Sequence, residues 1–268
     1  MTTYRKRLRA LTAERGNLCV GIDPHPGILD AWELPSTATG LERCARGVVA
    51  ALGDRVAVFK PQSAFFEAHG SAGIAVLERV LADIRQAGAL AIVDAKRGDI
   101  GSTMAAYAEA YLSDGSPLAG DAVTVSPYLG VGSLMPAFEL AVTTGRGVYV
   151  LARTSNPEGG KVQLALGQEG SVAQEVIDET REVNSRMRTR AVGLVVGGTH
   201  SKLGCDVADF NGSILVPGIG TQGGTVEDLP NLFGPAIENV LPMVGRAVLK
   251  AGPEPAAMIA AAGTYGVK

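Results

Sequence analysis

The sequence predicts an α/β fold, a single (β/α)8 barrel with a helix capping its N-terminal end. Three observations predict it. Eight short β-rich runs alternate with longer helical patterns. The 268 residues suit one domain with a large core, and no linker-like segment divides them. Several of the apolar runs end in a charged or polar residue, as parallel strands do when their C-terminal ends share one active rim. Residues 1–268 are therefore expected to form one catalytic domain of the TIM-barrel class. An open doubly wound sheet is the alternative.

The elements follow in order. Residues 1–15 mix charged and apolar side chains and lack the apolar core of a signal peptide, so they read as a helix lying across one end of the domain. Strand one, 18–23, closes on Asp23, and 37–52 is long enough for a crossover helix. Strand two, 55–60, ends in Lys60, with Pro61, Gln62 and Ser63 behind it. Helix 71–87 leads to strand three, 89–96, an apolar run that finishes on Asp94 and Lys96. In helix 102–112, Met104, Tyr107 and Tyr111 stand at i, i+3 and i+7, a buried stripe. Strand four, 122–127, ends in Ser126 and Pro127, and strand five, 147–152, runs into Arg153, Thr154, Ser155 and Asn156. An amphipathic helix spans 171–187. Strands six (192–197), seven (213–217) and eight (240–244) follow, and helix 255–262 closes the pattern. Between strands seven and eight there is room only for a short helix.

Composition excludes several classes. Net charge is −3 and no basic stretch is interleaved with aromatics, so nucleic acid is not an expected partner. No run approaches 18 apolar residues, so no membrane span is expected and the cytoplasm is the expected compartment. Cys19, Cys44 and Cys205 are odd in number and widely spaced; they read as thiols in a reducing compartment, not as a disulfide framework or a zinc knuckle.

The segment Asp94-Ala95-Lys96-Arg97-Gly98-Asp99 carries the chemistry. Alternation along a strand puts Asp94 and Lys96 on one face, and Gly98 hands Asp99 to the loop that opens the next helix. Two carboxylates and an ammonium thus gather at a strand's C-terminal end. Scattered on a surface, such charges would be an ion-pair cluster of little worth. The apolar strand in front of them and the Gly-Ser-Thr turn behind point instead to a site. A second feature is the glycine-rich turn Gly218-Ile219-Gly220-Thr221-Gln222-Gly223-Gly224, whose N–H groups can form an anion nest. Arg246, after strand eight, adds a guanidinium. Barrels frequently hold phosphate between their last two strands. The same glycines match G-x-G-x-x-G, but they sit on the seventh strand behind Pro217 and do not open a βαβ unit.

With these residues in place, the chain resembles the orotidine 5′-phosphate decarboxylase family, and within it the longer-chain bacterial type 2 branch. The resemblance runs from about Asp23 to Arg246 and rests on three blocks: 59–67, 94–103 and 217–224. It implies decarboxylation of orotidine 5′-monophosphate to uridine 5′-monophosphate and CO2 in pyrimidine biosynthesis, with no cofactor and no metal. It further implies that Lys96 protonates C6, that Asp94 lies beside the substrate carboxylate, and that Lys60 bridges the acidic residues and the ribose. Asp99 would reach across a homodimer interface into the neighbouring site, with Thr103 near it. Asp23 would hold ribose hydroxyls and Ser155 the pyrimidine. Gln222, Arg246 and the Gly220 N–H would hold phosphate.

Three other readings compete. Sugar-phosphate barrels (keto-gulonate phosphate decarboxylases, hexulose phosphate synthases) share the Asp-x-Lys-x-x-Asp strand but use Mg2+, with a glutamate ending strand two where this chain has Lys60. A nicotinamide oxidoreductase would use the strand-seven glycines. A non-catalytic phosphate-binding barrel would leave the gathered charges unexplained. His25 lies on the active rim; His69, His200 and Trp32 read as structural. Segment 156–170 matches the family poorly and receives no role, though it and the Gln222 turn are the candidate lids.

Overall fold

A computed structural model describes residues 2–167 and 169–266. Eight parallel strands close a barrel in sequence order. They are β1 (Cys19–Ile22), β2 (Val58–Pro61), β3 (Leu90–Arg97), β4 (Ala122–Val125), β5 (Gly147–Arg153), β6 (Val192–Val196), β7 (Ile214–Val216) and β8 (Val240–Val244). Closure is the pairing of β1 with β8, Cys19 beside Met243 and Val20 beside Val244. The TIM-barrel expectation therefore holds. No helix among the described residues is long and apolar enough to cross a membrane.

Strand alternation sorts the core into two layers. Cys19, Val58, Leu90, Ile92, Ala122, Tyr149, Leu215 and Leu241 pack inside the barrel. Val20, Phe59, Ala91, Val93, Val123 and Val150 face outward under the helices. Both strand faces are buried, which is why the strands read as continuous apolar runs. The N-terminal helix, Tyr4–Arg15, covers the floor as the sequence predicts. Its Tyr4 and Leu8 enter the inner layer, and the Tyr4 and Tyr149 hydroxyls lie 2.9 Å apart.

Stepping two residues up each strand from the inner layer reaches the C-terminal mouth. Val58 leads to Lys60, Ile92 to Asp94 and Ala122 to Thr124. The apolar core thus turns polar at one level across three neighbouring strands.

The helices at 38–52, 70–86, 101–112, 172–186 and 255–263 agree with the sequence to within one residue. Strand two begins at Val58, three residues later than expected, because Arg55 and Val56 donate N–H bonds back to the Leu52 carbonyl and prolong the helix end. A helix at Met135–Thr144 went unread; a single 3-10 turn and Pro136 precede its short periodicity. From β6 to β7 the chain, 197–213, carries no helix among the described residues. Gly197, Gly198, Gly204 and Gly212 interrupt it.

Candidate active site

A cavity of about 420 Å³ opens at the C-terminal mouth. Asp23, Lys60, Asp94, Lys96, Ser155, Gln222 and Arg246 all line it. Seven of the sequence-predicted residues, drawn from six different strand ends, therefore share one concavity.

At its base Asp94 is held by four donors. Oδ2 accepts from Lys60 Nζ at 2.6 Å and from Gln62 Nε2 at 3.1 Å. Oδ1 accepts from Lys96 Nζ at 2.6 Å and from Thr124 Oγ1 at 2.9 Å. A carboxylate offers about four lone-pair sites, so Asp94 is saturated. Burial pushes its carboxyl up, but the Lys60 and Lys96 ammonium groups overcome this and hold it well below the usual carboxylate range. Lys60 is 2% exposed. Burial pulls its ammonium down, and the charges of Asp94 and Asp23 more than reverse that, so it stays protonated.

Asp23 differs. Its Oδ1 lies 3.9 Å from Lys60 Nζ and, though buried, has no hydrogen-bond partner among the described residues. Burial, reinforced by the like charge of Asp94, raises its carboxyl above the ordinary value against the pull of Lys60. An acceptor left without a donor in a cavity wall suits a ligand that brings hydroxyl groups.

Lys96 has φ +48°, in the left-handed region that side-chain-bearing residues seldom adopt. The β3–β4 pairing explains why. Val93 stands opposite Val123 and Arg97 opposite Val125, so residues 94–96 face Thr124 alone. This bulge lets the strand present both Asp94 and Lys96 to the cavity. Lys96 is the more exposed of the two, its side chain 45% open against 8% for Asp94.

The opposite wall is built by the β5 and β7 loops. Ser155 Oγ donates to Gln222 Oε1 at 3.2 Å, tying the loops together. Gln163 braces the first loop, accepting from Arg153 Nη1 and the Thr154 N–H at 3.1 and 3.0 Å. Gly218, Gly220 and Gly223 all adopt positive φ, which this tight turn demands. The turn closes on itself: the Gly220 N–H donates to the Gly224 carbonyl at 2.9 Å. The N–H expected at phosphate is thus engaged within the turn when no ligand is bound. The Arg246 side chain makes no hydrogen bond or ion pair among the described residues, and Arg246 lines the cavity.

Asp99 and Thr103 do not join the cavity. Asp99 is half-buried and accepts the Ile100 N–H at 2.8 Å; Thr103 is exposed on helix Gly101–Leu112. His25 caps the helix at Pro26–Ala31 by accepting from the Gly27 N–H. His200 lies 2.9 Å from the Thr154 carbonyl, and buried Trp32 donates to the Leu249 carbonyl. All three are structural contacts. Cys19 and Cys44 are buried free thiols, and burial pushes Cys44 up to about 12. Sequence reasoning missed Gln62 and Thr124 as partners of Asp94. Strand parity from Ala122 could have found Thr124; nothing local singles out Gln62.

The family model that matches residues 16–262 describes the orotidine 5′-phosphate decarboxylase / HUMPS family. A Salinispora tropica orotidine 5′-phosphate decarboxylase is 56% identical over 264 residues, covering 98% of this chain and 95% of its own length. The Streptomyces coelicolor protein of the same name is 52% identical over 270 residues, covering 100% and 97%. A Streptomyces avermitilis crystal structure described under that name superposes with a TM-score of 0.93 at 52% identity, covering 99% of this chain and 94% of that one.

Proposed function

The chain belongs to the orotidine 5′-phosphate decarboxylase / HUMPS family, and on that premise we propose that its cavity converts orotidine 5′-monophosphate to uridine 5′-monophosphate and CO2. The observation that carries this reading is the Lys60–Asp94–Lys96 row at the cavity base, with Asp94 ionised between two ammonium groups.

Loss of CO2 from C6 of a pyrimidine leaves a carbanion with little resonance stabilisation. A fixed ammonium answers both needs, stabilising the growing charge and then protonating it. Lys96 is the group assigned to this task, being the more open of the two lysines. Asp94, held ionised, sits beside the departing carboxylate and repels it until CO2 leaves. At an effective dielectric near 20, one such pair at about 4 Å is worth roughly 4 kcal/mol. The slowest uncatalysed reactions need about 20 kcal/mol or more of barrier reduction. Repulsion is therefore the lesser part, and stabilisation of the carbanion by Lys96 the greater.

The remaining roles follow from position. Asp23, with its unpartnered oxygen, takes ribose hydroxyls. Ser155 and Gln222, already bonded to each other, close over the pyrimidine and phosphate, and Arg246 pairs the phosphate. Phosphate binding far from C6 supplies energy for ordering the site. Lys60 places a cation where a Mg2+ enzyme needs an oxygen ligand, which favours the metal-free reaction over the sugar-phosphate alternative.

The domain works as one catalytic unit in the cytoplasm, and as a homodimer. Asp99, outside the lining of its own cavity, serves the partner's site, with Thr103 close by. Exposed apolar side chains beside it support this: Ile100, Tyr128 and Leu129 are 62%, 83% and 52% exposed. Their two loops are neighbours, since Gly98 packs against the Ser126 carbonyl. Such a patch is characteristic of an association surface.

The test is the loss of orotidine 5′-monophosphate ultraviolet absorbance with purified protein in EDTA, beside a Lys96→Ala variant. Rapid decay in the wild type and none in the variant is expected. A stable signal in the wild type, with turnover of a sugar phosphate restored by Mg2+, would overturn the reading.

A further inference from the structure

Resting on the decarboxylase reading, we propose that Thr124 is a positioning residue whose hydroxyl locks the Asp94 carboxylate and the Lys96 backbone into one arrangement. Thr124 is 1% exposed and stands alone opposite the three bulged residues 94–96. Its Oγ1 donates to Asp94 Oδ1 at 2.9 Å and accepts from the Lys96 N–H at 3.0 Å. A hydroxyl has one hydrogen to give. An ionised carboxylate can only accept and an amide N–H can only donate, so the two bonds fix the hydroxyl in one orientation.

The bulge makes this bond necessary. It lifts the Lys96 amide out of the regular β3–β4 ladder, and Lys96 takes φ +48°. The Thr124 oxygen replaces the lost strand partner and holds the lysine in that backbone state. It simultaneously fixes which way the Asp94 plane faces, and hence where Lys96 Nζ rests before substrate arrives. Thr124 thus acts on the reaction through Lys96 and Asp94.

Thr124→Val keeps the shape and removes the hydroxyl; Thr124→Ser keeps the hydroxyl and removes the methyl group. With a small displacement of a catalytic group able to cost about 100-fold, kcat of Thr124→Val should fall at least about tenfold while KM stays within roughly threefold. Thr124→Ser should lie within roughly threefold of wild type in both. By microscopic reversibility, the lysine that protonates C6 also removes its proton. Exchange of the uridine 5′-monophosphate C6 hydrogen in D2O, followed by proton NMR, should therefore slow in Thr124→Val by a factor similar to kcat. Its product Kd by calorimetry should be unchanged.

A Thr124→Val enzyme with wild-type kcat overturns the proposal, as does a Thr124→Ser enzyme that loses as much as the valine variant. A rise in product Kd matching the loss in kcat also overturns it, since the substitution would then have deformed the cavity. If Thr124→Val yields no folded protein, Thr124→Ala reads the same loss. A wild-type enzyme inactive on orotidine 5′-monophosphate fails the decarboxylase reading itself. An active wild type with an indifferent valine variant fails this proposal alone.

Discussion

Asp94 and Asp23 lie on either side of Lys60, yet their environments push them in opposite directions. Asp94 has four donors and is held ionised; Asp23 is buried with one oxygen unserved and is raised. A carboxyl raised on folding stabilises the native state only while it is protonated. Its contribution is lost as pH rises from the unfolded value of about 4 through the raised native one. Asp23→Asn should therefore raise Tm at pH 7, and the gain over wild type should vanish below about pH 4, where Asp23 is neutral too. Thermal scans across pH check this, and an Asn variant less stable at pH 7 would contradict it. The same variant should bind substrate less well, a cost typical of sites poised for a ligand. The charged members of this row were legible because Asp or Lys seldom ends an apolar strand without a purpose. Thr124 and Gln62 were not, because an uncharged side chain on a rim gives no such signal and the bulge that recruits Thr124 has no signature in alternation. The occupied Gly220 N–H escaped for a related reason: glycines announce a turn, not which of its donors the turn consumes.

All eight strands were readable from β-branched runs bounded by glycine, proline and charge, whereas the short connections were not. The 229–239 segment splits into one short helix and a 3-10 turn, lengths at which periodicity carries little information. Between β6 and β7 the strands are held by close backbone approach. Gly193 in β6 is one such case: an added Cβ would meet the Ser213 carbonyl oxygen at 2.5 Å and the Tyr149 ring at 2.7 Å. Neither neighbour can yield, one being backbone and the other a fully buried ring. Gly193→Ala should cost about 1–3 kcal/mol, the usual penalty of overpacking. Urea unfolding measures it, and a loss below about 0.5 kcal/mol would mean the barrel relaxes there.

At the scale of the molecule, barrel closure brings the first and last strands together, so Asp23 and Arg246 share a cavity despite lying near opposite ends of the chain. That much follows from strand count and order. Association does not, since no sequence pattern marks Asp99 as lying outside its own cavity. If two copies share their sites, mixing Lys96→Ala with Asp99→Ala protein should regenerate one intact site in each mixed dimer. Random exchange makes half the dimers mixed, so about a quarter of wild-type activity should return. Absence of recovery, with exchange confirmed by tagged subunits, would place Asp99 outside the partner's reaction.

The seam between β1 and β8 also sets a clock. A ribosome adds about 5–20 residues per second, so tens of seconds separate the emergence of the first strand from that of the last. Throughout that interval β1 is an unpaired edge, exposed to other nascent chains and to holding chaperones. A transcript cut short before Val240 would yield a protein lacking β8 and with it the Arg246 wall. Catalytic competence thus waits until β8 and Arg246 have emerged, and a product cut short before them has no assembled site with which to bind nucleotide.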